Sequence, residues 1–181
     1  MAYFPFYVEL KDVSVLIVGG GKVALHKVKR TLDDRPKIKV VAKKVDERIK
    51  NIKGVEWEER EFEDSDVEGV RFVIAAAGDE ELDEHITSLC NDKGIFINVV
   101  DVKDKCDFIF PSVVSRGKLE IGISSSGASP RITTLLAGEI DNILPDNIEE
   151  ILDYLEKLRP YAKQKISNNV LRARFLSYMA E

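Results

Sequence analysis

"VLIVGGGKVALHKVKR", Val15 to Arg30, carries a short apolar run into three glycines and then into a helical pattern. The run "VSVLIVGG" is continuously apolar and ends in turn residues, which suits a strand buried on both faces of a parallel sheet. Beyond Gly21, the residues Ala24, Val28, Thr31 and Leu32 fall on one side of a helix. Gly19, Gly21 and Ala24 fit the dinucleotide pattern G-x-G-x-x-G/A, with a strand before it and a helix after. In that pattern Gly19 allows the tight turn, Gly21 lets backbone approach a pyrophosphate, and Ala24 permits close packing of helix on strand. The segment Gly20, Gly21, Lys22, Val23, Ala24 would present helix N-terminal amides to phosphate. A glycine turn in a sheet protein without a nucleotide has the same local pattern, and the motif alone leaves that alternative open.

Working outward, strands and helices alternate. "KIKVVA" is a second strand, a short strand includes Val55 and Trp57, and "VRFVIAAAG" and "IFINVVD" repeat the buried-strand pattern. "DDRP" ends the first helix, because Pro36 disfavours helix at Arg35. "DEELDEHITSLCNDKG" is a helix with Asp79 as N-cap and Gly94 as its stop. This alternation predicts an α/β fold with a Rossmann-like, doubly wound parallel sheet.

The end of the second strand is where a nucleotide-binding sheet of this kind carries an acid for the ribose 2′-hydroxyl. Here "VVAKK" puts Lys43 and Lys44 in that area, with Asp46 a little beyond. The lysines suit a 2′-phosphate, hence NADP, or are two solvated loop residues; the residues themselves leave both open.

The second half changes character. After apolar pieces and a turn at Arg116-Gly117-Lys118, "KLEIGIS" alternates like a strand with one exposed face. Ser129 followed by Pro130 marks a helix start, and that helix should end near Leu144-Pro145. "DNIEEILDYLEKLRP" and the amphipathic stretch 161–181 read as further helix.

Composition bounds the function. The chain has 181 residues, 44% of them hydrophobic, and a net charge of −5, which disfavours general nucleic-acid binding. No apolar run is long enough for a membrane span, and the N-terminus lacks the pattern of a signal peptide. Cys90 and Cys106 make no disulfide framework, so a reducing cytoplasm is the expected location. His26 and His85 share no metal-ligand spacing with either cysteine, so no structural metal site is expected.

Four stretches carry a family resemblance: "FPFYVELKDVSVLIVGGGKVA", "FINVVD" ending at Asp101, "DFIFPSVVSRGKLEIGISSSGASP" from Asp107 to Pro130, and the helical tail. Through them the chain resembles the precorrin-2 dehydrogenase/ferrochelatase part of siroheme synthases, most closely the stand-alone precorrin-2 dehydrogenases. The resemblance implies a homodimer with a nucleotide domain over 1–107, a small α+β dimerisation region over 108–144 and a helical tip over 145–181. It also implies a chain without the methyltransferase domain of fused siroheme synthases.

The implied reaction is loss of a hydride to NAD⁺ and of a proton from precorrin-2, giving sirohydrochlorin; some members then insert Fe²⁺ to give siroheme. Asp101 matches the family's catalytic aspartate and would be the base, although by position alone it is equally a strand-end or cap aspartate. The loop Ser124, Ser125, Ser126, Gly127 matches the substrate-side loop, and a turn feeding the Ser129 cap is the bland alternative. Arg116, Lys118 and Arg131 are expected to offer charge to the substrate's carboxylates, with Arg172 and Arg174 weaker candidates. The resemblance favours NAD over NADP. A non-catalytic nucleotide-sensing domain is the alternative class.

Overall fold

The computed structural model describes residues 3–179. The chain divides into two compact units, one ending at Ile109 and the next beginning at Phe110.

The first unit is the alternating half. Its elements are β1 (Ser14–Val18), α1 (Lys22–Leu32), β2 (Lys37–Ala42), α2 (Glu47–Lys50), β3 (Val55–Glu59), β4 (Phe72–Ala75), α3 (Glu80–Lys93) and β5 (Phe96–Val99). All five strands are parallel, in the order β3-β2-β1-β4-β5. The chain therefore winds outward from β1 in both directions, and the order reverses between β1 and β4. Open α/β sheets bind ligands beyond the strand C-termini at such a switch point.

Burial explains the strand sequences. β4 is buried along its whole length, and β1 from Val15 to Val18. On one face Leu16, Val18, Val73, Ala75, Ile97 and Val99 pack with Ile86 and Cys90 of α3. Against the other face, α1 buries Ala24, Leu25, Val28 and Thr31. Removing a side chain such as Leu16 from water contributes about 1.5–3 kcal/mol. β3 is an edge strand with one-sided, charged sequence VEWEE, as edges generally are. It is stitched to the sheet by Asp66, whose side chain is 2% exposed and pairs with Lys39 (3.1 Å) and Arg60 (2.5 Å).

Helix ends follow their sequence signals. Asp79 caps α3 by accepting the Leu82 amide at 3.2 Å, and Gly94 closes it in left-handed backbone. α1 stops at Leu32, just before "DDRP".

The second unit pairs β6 (Ser112–Arg116) with β7 (Leu119–Ile123) as an antiparallel hairpin about Gly117. α4 (Pro130–Ile143) packs on β6, where the Ser112 and Thr133 hydroxyls meet at 2.9 Å. α5 (Ile148–Lys165) runs straight through Pro160, and α6 (Asn169–Tyr178) follows a break at residues 166–168. The stretch 161–181, expected as one helix, is interrupted there because Asn168 turns its side chain onto the Val170 and Leu171 amides and starts a new one. Among its described residues the buried side chains are few: Val114, Thr133 and Ala162.

Candidate functional site

The three glycines at the end of β1 have three different physical reasons. Gly19 sits at φ 123°, and a Cβ there would lie 2.4 Å from the Ala76 carbonyl at the end of β4. A Cβ on Gly20 would lie 2.2 Å from the Lys44 carbonyl, so this glycine admits the loop after β2. That contact is fixed by the Asp46 amide, which donates to the Gly20 carbonyl at 2.8 Å. Gly21 differs, since a Cβ there meets no atom within 4 Å. The space above Gly21 is open, and no acid stands in the first turn of α1.

The first intrahelical bond of α1 runs from Leu25 N–H to the Gly21 carbonyl at 3.0 Å, so the amides of Lys22, Val23 and Ala24 precede the ladder. Ala24 is fully buried against the sheet. Open space, orphan amides and the positive end of a helix dipole suit a pyrophosphate. These residues therefore fit a dinucleotide: Gly19 and Gly20 build the turn, Gly21 leaves the space above it open, and Ala24 packs the helix on the sheet.

Lys43 and Lys44 stand at the end of β2, beside the glycine turn. Lys43 is spent on Glu61 at 2.9 Å, with both side chains largely exposed. Asp46, a little beyond the lysines in sequence, is brought against the turn by its amide bond to Gly20. Its carboxylate caps α2 and grips the Arg48 guanidinium at 2.6 and 2.9 Å, which holds it far below the usual carboxylate range.

Asp101 lies just past β5, at the same end of the sheet as the glycines. The Val100 amide still bonds to the end of β4, at Ala75 O, 2.9 Å. Then Val102 N–H closes a turn onto Val99 O at 3.3 Å, leaving Asp101 exposed at its corner with φ 64°. The cap alternative has no partner to cap: the short 3₁₀ turn Lys103–Lys105 starts from Val102 and has no side-chain cap bond. Burial pulls the Lys27 ammonium on α1 below the usual lysine value, and the negative charge of Asp101 works in the opposite direction. Burial pushes the Cys106 thiol up, and burial drives Cys90, inside the core, to about 11.

In the second unit, the serine loop is built by its own side chains. Ser124 Oγ accepts the Ser126 amide at 3.0 Å and Ser125 Oγ accepts the Ser129 amide at 2.9 Å. Ser126 and Gly127 both have positive φ, 52° and 84°. Ser129 caps α4 by accepting Ile132 N–H at 3.3 Å. Each accepting hydroxyl retains its own proton to donate outward. Arg131 lies in the first turn of α4, beside the loop. Arg116 and Lys118 are engaged otherwise: Arg116 holds Asp141 at 2.8 and 2.9 Å, and Lys118 binds Asp153 and Glu156. Arg172 is tied to the Ile166 carbonyl and Asn169.

The histidines are apart from these groups, His26 exposed on α1 and His85 against Asp64 at 2.6 Å. Among the described residues no group of three or more His, Cys, Asp or Glu side chains is arranged to hold a metal ion. Nor, among them, is any helix long and apolar enough to cross a membrane.

Comparison with known proteins agrees with the glycine turn. Residues 6–112 match the family model NAD_binding_7, described as "Putative NAD(P)-binding". A siroheme synthase from Thioalkalivibrio sulfidiphilus is 35% identical over all of this chain and 38% of its own length. Siroheme synthase 1 of Klebsiella pneumoniae is 34% identical over 97% of this chain and 38% of its own. The chain thus spans less than two fifths of the curated relatives it matches. Among solved structures, "SirC, precorrin-2 dehydrogenase" superposes with a TM-score of 0.81 over 99% of this chain and 90% of that one, at 22% identity, and shares the fold.

Proposed function

The chain belongs to this NAD(P)-binding family, and from that premise we propose that it is a dehydrogenase oxidising precorrin-2 to sirohydrochlorin with NAD⁺. The observation that carries the reading is the exposed carboxylate of Asp101, held at the same sheet end as the open glycine turn. The names borne by the siroheme synthases and by the dehydrogenase of like fold support the choice of substrate.

Bound NAD⁺ would supply the acceptor for the hydride that leaves the macrocycle. The chain supplies the rest. The amides of Lys22 and Val23 would hold the pyrophosphate, with Ala24 packing the helix behind them, and Asp101 would take the proton that must leave as the new double bond forms. Precorrin-2 thereby loses one hydride, to the cofactor, and one proton, which the aspartate would pass on to water. The hydroxyls of Ser124, Ser125 and Ser126, with Gly127 and Arg131, bind substrate carboxylates. Arg116 and Lys118 would have to leave their ion pairs to join them.

NAD rather than NADP is the preferred cofactor. Lys43 is already paired with Glu61, which leaves it less available to a 2′-phosphate. The protein works as a homodimer, because α4 exposes Ile132, Leu135, Leu136 and Ile143 to between 47% and 78%. An apolar helix face of this kind is covered most simply by a second copy. Two unpaired cysteines suit a reducing cytoplasm.

The test is anaerobic incubation with precorrin-2 and NAD⁺ or NADP⁺, followed spectroscopically with and without Fe²⁺. Formation of sirohydrochlorin is expected, faster with NAD⁺, and the iron arm reads siroheme formation directly. NAD⁺ binding with no turnover would replace the proposal with the sensing reading. A stable monomer by light scattering at micromolar concentration would remove the dimer.

A further inference from the structure

Beyond Asp101 itself, the segment that carries it poses a separate question. Residues 100–108 leave the end of β5, make the Asp101 turn and come back alongside the same strand. A surface excursion of this length has no reason to hold one carboxylate still unless its return is fastened. It is fastened at consecutive positions of β5. Asp107 N–H donates to Ile97 O at 2.8 Å, and the Asp107 carboxylate accepts Ile97 N–H at 3.0 Å. One residue on, the side chain of Asn98 reaches across and donates to the Phe108 carbonyl at 2.9 Å and towards Cys106 Sγ at 3.4 Å. The Cys106 thiol in turn lies 3.2 Å from Val99 O and 3.3 Å from Val102 O, the two carbonyls that bracket the Asp101 turn.

Asn98 is anomalous as a core residue. Its neighbours Ile97 and Val99 are buried and apolar, as a strand covered on both faces requires. Asn98 is 6% exposed, and its Oδ1 has no hydrogen-bond partner among the described residues. Burying a polar atom unpaired works against folding, so an apolar side chain would suit the strand better. What only the amide supplies is the pair of N–H donors facing the returning segment. We propose that Asn98 is a positioning residue, which fastens the 100–108 excursion to β5 and so fixes the Asp101 carboxylate at the sheet end. The inference rests on the reading of Asp101 as the base.

The full-length protein tests it with Asn98→Leu, which matches the side chain in size and removes both donors, and Asn98→Ser as the second variant should the first not fold. Asp101→Asn runs in parallel. Three readouts are needed: NAD⁺ affinity by calorimetry, amide hydrogen exchange across residues 100–108, and single-turnover oxidation of precorrin-2. The Asn98 variant should bind NAD⁺ within about twofold of the parent, since the glycine turn is untouched. Its amides from 100 to 108 should exchange about tenfold faster or more. Its turnover should drop on the order of 10²-fold, the usual cost of displacing a reacting group by about 1 Å, with KM for precorrin-2 little changed. Parent-like exchange in this segment, or parent turnover in the Asn98 variant while Asp101→Asn is slow, overturns the proposal and leaves the base in place. Parent turnover in Asp101→Asn overturns the base instead. The exchange result then decides by itself whether Asn98 fastens the segment.

Discussion

Replacing Asp101 by glycine separates function from stability more sharply than replacing it by alanine. The residue sits at φ 64°, at the corner of the turn closed by Val102 N–H on Val99 O. Left-handed backbone costs an L-residue about 1–2 kcal/mol, somewhat less for Asp, and costs glycine nothing. Against that gain, glycine has more freedom in the unfolded chain, worth about 0.5–1 kcal/mol. Because the side chain is exposed and caps no helix, only its attraction to the Lys27 ammonium is lost with it. The two backbone effects nearly cancel, so Asp101→Gly should sit within about 1 kcal/mol of the parent, a shift in Tm of a few degrees at most. Alanine keeps the strain and should be the less stable of the two variants by a similar amount. Both should lose on the order of 10²–10⁴ in the rate of precorrin-2 oxidation, the usual contribution of a general base. Melting curves and anaerobic single-turnover kinetics on the three proteins are the assay. Glycine less stable than alanine would mean the turn is not strained, and parent turnover in either variant would dismiss Asp101 as the base.

Three other perturbations have definite expected outcomes. Gly21→Asp should fold with parent stability, because the added side chain enters open space, yet lose NAD⁺ binding by calorimetry, because it sets a negative charge against pyrophosphate. Gly20→Ala should instead lower Tm, since its Cβ would meet the Lys44 carbonyl backbone at 2.2 Å and nothing there can yield cheaply. Arg60, then the Glu63 amide and Lys39, hold the buried Asp66 carboxyl well below its ordinary value. Its contribution is therefore present above the unfolded value of about 3.9 and lost as pH falls further towards the folded value. Denaturant titrations from pH 7 to pH 3 should show stability falling below about pH 4, and Asp66→Asn should flatten that fall while costing about 1–3 kcal/mol at pH 7.

Much of the first unit was legible because its signals are local. The strand "KIKVVA" is β2 residue for residue, and α3 begins after Asp79 and ends at Gly94, since N-caps and left-handed C-caps act within a turn of their own position. The glycine pattern was equally legible, but not the division of labour inside it: Gly20 answers to Lys44, more than twenty residues away, and such a contact leaves no trace in spacing. Spacing put Asp46 only a little beyond the lysines; it does not reveal that the loop folds back and bonds the Asp46 amide to Gly20. Arg116 and Lys118 read as free cations because their partners, Asp141, Asp153 and Glu156, lie on helices far along the chain. In "NVVD" the aspartate drew all the interest, and nothing in the letters says that Asn98 reaches the Phe108 carbonyl.

Positive φ outside glycine occurs among the described residues at Asp12, Arg35, Asp101 and Ser126, and only location tells these apart. Asp12 and Arg35 stand at the opposite end of the sheet, before β1 and β2, where the Asp12 amide donates to the Arg35 carbonyl at 3.1 Å. That bond ties two connections together and accounts for both conformations without reference to a ligand. Asp101 has no such return: its turn leaves the carboxylate pointing to solvent, and the bonds that brace the turn come from Asn98, Cys106 and Asp107 rather than from Asp101 itself. Strain that is offset by the residue's own contacts belongs to the fold. Strain maintained by neighbours, one of which keeps a buried oxygen unpaired to do so, has a reason only if the carboxylate's position matters. At the C-terminal end of a parallel sheet, where open α/β folds bind their ligands, that is the position the proposed reading gives to the base.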